Sequence, residues 1–170
     1  MNAVDAKVFF DSGSVVWELE SENKFDAIRE VIDRSPIFKS IPDFDLADFY
    51  GIVEQRELIQ TTGFGHGVAV AHGRTPMVDD TVVALGVSRQ GVEYDAMDKK
   101  PVHMLFVVAT HPDRRLNYLK VLSSLITLVR QESFRREIFA CLCQEEIEDK
   151  LCRGMARILM KTGRNETAGL

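Results

Sequence analysis

Val102-His103-Met104-Leu105-Phe106-Val107-Val108-Ala109-Thr110 is nearly all apolar, and the period changes immediately after it. A nearly all-apolar stretch of this length without alternation is the pattern of a central strand covered on both faces. After Pro112, leucines and β-branched residues recur every three or four positions: Leu116, Leu119, Leu122, Ile126 and Val129. That is a helical period, with Asp113 as the expected cap. Upstream, Gly67 to Ala71 and the β-branched stretch Thr81 to Val87 read as two further strands. Gln90-Gly91 reads as a turn leading to a minor strand over Val92 to Tyr94.

Towards the N-terminus, Val8 to Leu19 reads as one or two short strands around Asp11-Ser12-Gly13-Ser14. Asn23 is placed to cap a helix with an apolar stripe of Phe25, Ile28, Val31 and Ile32, ended by Ser35-Pro36. A second helix is expected from about Asp45 to Gln55, with Leu46, Phe49, Ile52 and Val53 inward. Towards the C-terminus, Phe134, Ile138 and Leu142 mark one more helix. Ile147, Leu151, Met155 and Ile158 mark the last. Two helices, then strands, then helices give an α/β fold: a mixed sheet of four or five strands with helices on both faces. The expected organisation is a single domain over 1–160 with a frayed polar tail over 161–170.

Composition narrows the function. With 170 residues, 45% of them hydrophobic and 28% charged, the chain can bury an ordinary core. A net charge of -5 gives no electrostatic support to nonspecific nucleic-acid binding. The longest uninterrupted apolar run, Met104 to Ala109, is far short of the roughly 20 residues needed to span a bilayer, so no membrane insertion is expected. Asp5 and Asp11 flank Val8-Phe9-Phe10 without a basic leader, unlike a secretory signal. Three cysteines, Cys141, Cys143 and Cys152, suit reduced thiols in the cytoplasm rather than a disulfide framework.

One stretch has the character of a site. Thr61-Thr62-Gly63-Phe64-Gly65-His66-Gly67 leads into Val68-Ala69-Val70-Ala71-His72-Gly73. The glycines precede a strand, whereas a dinucleotide fingerprint follows one and opens a helix, so a Rossmann fold is not expected. Glycines and a hydroxyl before a strand that ends on a histidine suit the presentation of an imidazole. Zinc is a competing use for His66 and His72, whose even separation puts them on one face of a straight strand. However, no acidic third ligand has a familiar spacing, and Cys141 and Cys143 diverge on a helix.

Arg56-Glu57-Leu58, Thr62-Gly63-Phe64-Gly65 and Val68-Ala69-Val70-Ala71-His72-Gly73 together resemble the IIA domains of the bacterial phosphotransferase system, in the fructose/mannitol and nitrogen-regulatory class. Val92 to Asp98, Pro101 to Phe106 and Leu116 to Leu125 extend the resemblance, which covers about 23–151. It implies a phosphocarrier that takes a phosphoryl group from phospho-HPr on His72 and passes it to a IIB partner, without cofactor or metal. It also implies a supporting arginine at Arg56 and turn residues at Thr62, Gly63 and Gly65. Two other readings keep the same fold: a nitrogen-regulatory-type protein whose phosphorylation switches partners, and a degenerate relative that takes no phosphate.

The chain departs from that family at two places. Ala71 stands where the family has proline before the histidine, which frees the backbone and restores an N–H. The family's second active-site histidine, at the start of the helix after the central strand, falls on Arg115 by the Leu-x-x-Leu register. His111, four residues earlier, is the other candidate. The chemistry is simple to provide, because phosphoryl transfer needs an in-line nucleophile and charge neutralisation. A neutral His72 would be the nucleophile. Gly63 and Gly65 would form an N–H nest, the Thr62 hydroxyl would add a donor, and Arg56 would offer a planar fork. Each residue also has a plain role: His72 as a strand-end histidine, Arg56 as a helix-end arginine, the glycines as turn formers and Phe64 as a core anchor.

Overall fold

In the computed structural model, which describes residues 13–167, the apolar run at Val102–Thr110 is strand β5, near the middle of a five-stranded sheet. The other strands are β1 (Val15–Trp17), β2 (Gly63–Gly65), β3 (Val68–Arg74) and β4 (Val82–Val92), in the spatial order β1-β4-β5-β3-β2. β5 runs antiparallel to β4 and parallel to β3, and β2 returns antiparallel to β3. The sheet is therefore mixed, as the alternation of helices and strands implies. The part of the Val8–Leu19 expectation that precedes residue 13 lies outside the described residues.

The helices are α1 (Lys24–Arg34), the short α2 (Pro36–Lys39), α3 (Leu46–Ile59), α4 (Arg115–Arg130), α5 (Glu132–Ala140) and α6 (Gln144–Thr167). Asn23 caps α1, its Oδ1 accepting from the Asp26 N–H at 3.1 Å. Asp45 caps α3 in the same way, accepting from the Asp48 N–H at 3.0 Å. β-strand alternation sorts the core into two layers. Val68, Val70, Leu85, Met104, Phe106 and Val108 face α4, α5 and α6. Ala69, Ala71, Ala84, Leu105, Val107 and Ala109 face α1, α2 and α3. Small residues on the second face let α3 approach β3 closely: a Cβ on Gly73 would come within 2.9 Å of Ile52 and 3.1 Å of Phe49.

Four expectations need correction. Gln90-Gly91 is no turn: β4 continues through it, absorbed by a register shift between Val87 and Val92, with Gly91 at φ +94°. Asp113 does not cap α4. Arg114 occupies that position and caps with no side chain. The buried stripe of α4 is Tyr118, Val121, Leu125, Leu128 and Val129, while Leu116 and Leu119 are exposed. Helix α6 runs on to Thr167, through most of the expected tail. Among the described residues, no helix is long and apolar enough to cross a membrane.

Candidate functional site

His72 lies near the end of β3 and follows the alternation of Val68 and Val70, so it faces the α4 layer. β3 does not break before it. Ala71 pairs with Val107 and His72 with Val108, so the strand continues to Arg74 opposite Thr110. Alanine at this position thus gives uninterrupted parallel pairing up to and beyond the histidine.

The imidazole is half-buried and anchored to its own strand, with Nδ1 3.1 Å from the Val70 carbonyl oxygen. A carbonyl only accepts, so Nδ1 carries the proton and Nε2 keeps its lone pair. The ring of Tyr118, from the first turns of α4, lies beside it at 5.7 Å between centroids and 41° between planes. Burial pushes the His72 pKa below the ordinary imidazole value. The carbonyl bond and Glu57 oppose that shift, and the positive charges of Arg56 and Arg74 reinforce it. The ring is therefore neutral at pH 7.

Arg56 ends α3, with its guanidinium donating to the Gln60 carbonyl at 3.1 Å. That bond ties the side chain to the helix end while leaving further N–H donors. Arg74 is two residues beyond His72, on the same face of β3, and exposed. The same two arginines lower the pKa of Tyr118, against the larger upward effect of its burial. His72, Tyr118, Arg56 and Arg74 thus share one electrostatic neighbourhood.

Thr62 has a different role from the expected one. Its hydroxyl donates to Glu57 Oε2 at 2.5 Å and its backbone N–H to Oε1 at 2.9 Å. With that proton committed, Thr62 Oγ1 accepts from the Tyr94 hydroxyl at 2.9 Å. Lys24 Nζ completes the set, 3.2 Å from Glu57 Oε1, with the Glu57 side chain only 1% exposed. It also lies 5.1 Å from the Tyr94 ring centroid. A buried carboxylate needs such saturation by donors. Burial and the adjacent Glu57 charge push the Tyr94 phenol upward. The Thr62 hydroxyl therefore fastens the approach to β2 onto α1 and α3, and is not free to meet a phosphate.

The glycines do not assemble around His72 either. Gly65 pairs with Val68, four residues before His72, which separates them by about 13 Å along the strand. Its φ of +103° and the position of its Cα against Asp98 explain why glycine is needed there. Gly63 packs on the segment after β4, where a Cβ would meet that of Ala96 at 2.8 Å. His66 and Gly67 form the two-residue hairpin turn, both at positive φ, which leaves His66 exposed at the end of β3 remote from His72. The one-face pairing of His66 and His72 that zinc would need is thus undone by the turn. Phe64 packs against the core as an anchor.

Among the described residues, neither second-histidine candidate makes a hydrogen bond or ring pair with His72. His111 follows β5 three residues past the partner of His72, and its Nδ1 accepts from the Asp113 N–H at 3.1 Å. Arg115 is exposed at the start of α4. The side chain that α4 brings to His72 is that of Tyr118. The signal was in the sequence: the Leu-x-x-Leu spacing repeats through Leu116, Leu119, Leu122 and Leu125, so a register three residues later fits it equally and substitutes Tyr118 for Arg115. Arg74 and the Lys24–Glu57–Tyr94 set were also missed, since only strand alternation and tertiary packing bring them together.

Comparison with known proteins agrees with this architecture. The family model for the phosphoenolpyruvate-dependent sugar phosphotransferase system, EIIA 2, matches residues 8–151. The fructose-specific EIIA component of Haloferax volcanii is 31% identical over 151 residues, 89% of this chain and 97% of that protein. The fructose-specific EIIABC component of Bacillus subtilis is 29% identical over 130 residues, 76% of this chain, which spans only 20% of that longer protein. Among solved structures, the nitrogen regulatory protein IIA-Ntr of Neisseria meningitidis superposes with a TM-score of 0.77 at 26% identity, covering 87% of this chain and 99% of that one. The chain belongs to the EIIA 2 family of the phosphoenolpyruvate-dependent sugar phosphotransferase system.

Proposed function

We propose that His72 is a phosphoryl carrier, loaded by phospho-HPr and discharged to a IIB partner. The observation that carries this is the Nδ1 anchor on Val70, which leaves a neutral ring with a free Nε2 lone pair. Nε2 attacks phosphorus as the bond to the donor imidazole breaks, and that electron pair returns to the donor nitrogen. No proton has to leave Nε2. Discharge to the acceptor is the same exchange reversed. Arg56 and Arg74 offset the charge of the phosphoryl oxygens. Two cations without a metal suit a group that must leave again.

Docking is supported by exposed apolar side chains at the ends of the two helices that flank the site. Leu58 and Ile59 end α3, and Leu116 and Leu119 begin α4. These exposed leucines and the isoleucine, at the helix ends that carry Arg56 and Tyr118, are the proposed contact residues. The proposed setting is the cytoplasm, where donor and acceptor domains meet. The likeness to a nitrogen regulatory IIA protein favours a second reading with the same chemistry, in which phosphorylation of His72 selects a regulated partner.

The test is incubation with phosphoenolpyruvate, enzyme I and HPr, followed by intact mass measurement and addition of a cognate IIB. One acid-labile phosphoryl group, absent in His72→Ala and transferred to IIB, is the expected result. Labelling without onward transfer favours the switch, and no labelling of the wild type sinks both readings.

A further inference from the structure

We infer that the Tyr118 hydroxyl is a catalytic hydrogen-bond donor to the phosphoryl group carried by His72. This rests on the reading of His72 as the acceptor. Tyr118 is 8% exposed, and its ring is held against the imidazole by packing in the α4 layer. Among the described residues its hydroxyl has no hydrogen-bond partner. Other rings near the core do have one: Tyr94 meets Thr62, and His103 meets the Ser88 carbonyl. An unpartnered phenol beside a nucleophilic imidazole is placed for a group that arrives on that imidazole.

The surroundings suit an anion. Arg56 and Arg74 act on both Tyr118 and His72. The start of α4, one turn before Tyr118, carries no side-chain cap, so its first N–H groups add positive potential. Burial raises the phenol pKa, so Tyr118 stays protonated across the physiological range and donates without a titration of its own. A donor of this kind contributes without adding a third positive charge, so it aids loading without retaining the group.

The experiment is rapid-quench transfer from phospho-HPr to wild type and Tyr118→Phe, with thermal melts and the imidazole ¹⁵N spectrum of His72 as controls. Phenylalanine keeps the ring and removes only the hydroxyl. The expected result is transfer slower by on the order of ten- to hundredfold, with unchanged melting and unchanged His72 tautomer. Equal rates would overturn the inference. A slow variant whose His72 resonances have moved would also overturn it, because Tyr118 would then act only by packing. If Tyr118→Phe failed to fold, the wild-type Tyr118 ¹³Cζ resonance would decide. Movement on phosphorylation supports the contact, and none overturns it. A wild type that takes no phosphoryl group would instead overturn the reading of His72 itself.

Discussion

The Nδ1 atom of His72 lies 3.1 Å from the carbonyl oxygen of Val70, two residues earlier on the same strand. A backbone carbonyl fixes the proton on Nδ1 and makes Nε2 the basic nitrogen. Long-range ¹H–¹⁵N spectra of the free protein at pH 7.5 should show His72 as the Nδ1–H tautomer, with its Nδ1 proton slow to exchange. A mixed-tautomer pattern would remove the anchor.

The His72 pKa should fall below the ordinary imidazole value, because burial outweighs the carbonyl bond and Arg56 adds positive charge. An NMR titration checks this directly, and Arg56→Gln should move the value upward. The linkage has a definite sign. The unfolded chain takes a proton at His72 near pH 6.5 while the folded chain resists it, so this group's contribution to stability is complete above about pH 6.5. It is lost progressively as pH falls from there to the folded pKa. Denaturant melts of wild type and His72→Gln at pH 7.5 and 5.5 should show the smaller pH loss in the variant.

Glu57 should prove structural rather than chemical. Its carboxylate is met by Lys24 and by the hydroxyl and N–H of Thr62. Removing it strands a partly buried ammonium and two donors. Glu57→Ala should cost about 3 kcal/mol or more in urea unfolding, and Glu57→Gln about half that, since the amide still accepts. If Glu57→Ala melts like wild type, the network does not hold the approach to β2.

Much of this fold was legible because local and tertiary signals agreed. Asn23 caps as its sequence position indicates, and Val102–Thr110 is a strand with the expected bounds. The phase of α4 was not legible. Its leucines at 116 and 119 sit on the outer face while Leu125 in the same spacing is buried, so a regular leucine spacing alone does not set the phase of the helix. In the site, His72 and Arg56 stood out as residue types in a motif. Gly65 misled because the hairpin register, set by the turn at His66-Gly67, decides which end of β3 it joins. Arg74 and Tyr118 gain meaning only from strand alternation and the rotation of α4.

The exposed apolar residues give a separable prediction. Ile59 and Leu116 are 81% and 82% exposed, so Ile59→Asp and Leu116→Asp should leave the melting temperature nearly unchanged. If they form the docking surface, each should lower transfer from phospho-HPr by about tenfold at subsaturating donor, through KM more than kcat. Unaltered kinetics in both variants would place docking elsewhere.

The most direct measurement is the ¹⁵N spectrum of the histidine rings before and after incubation with phosphoenolpyruvate, enzyme I and HPr. The expected result is a phosphoryl group on Nε2 of His72, with the Nδ1 proton still donated to the Val70 carbonyl and the rings of His66, His103 and His111 unlabelled. A phosphoryl group on Nδ1, on another histidine, or on none would contradict it.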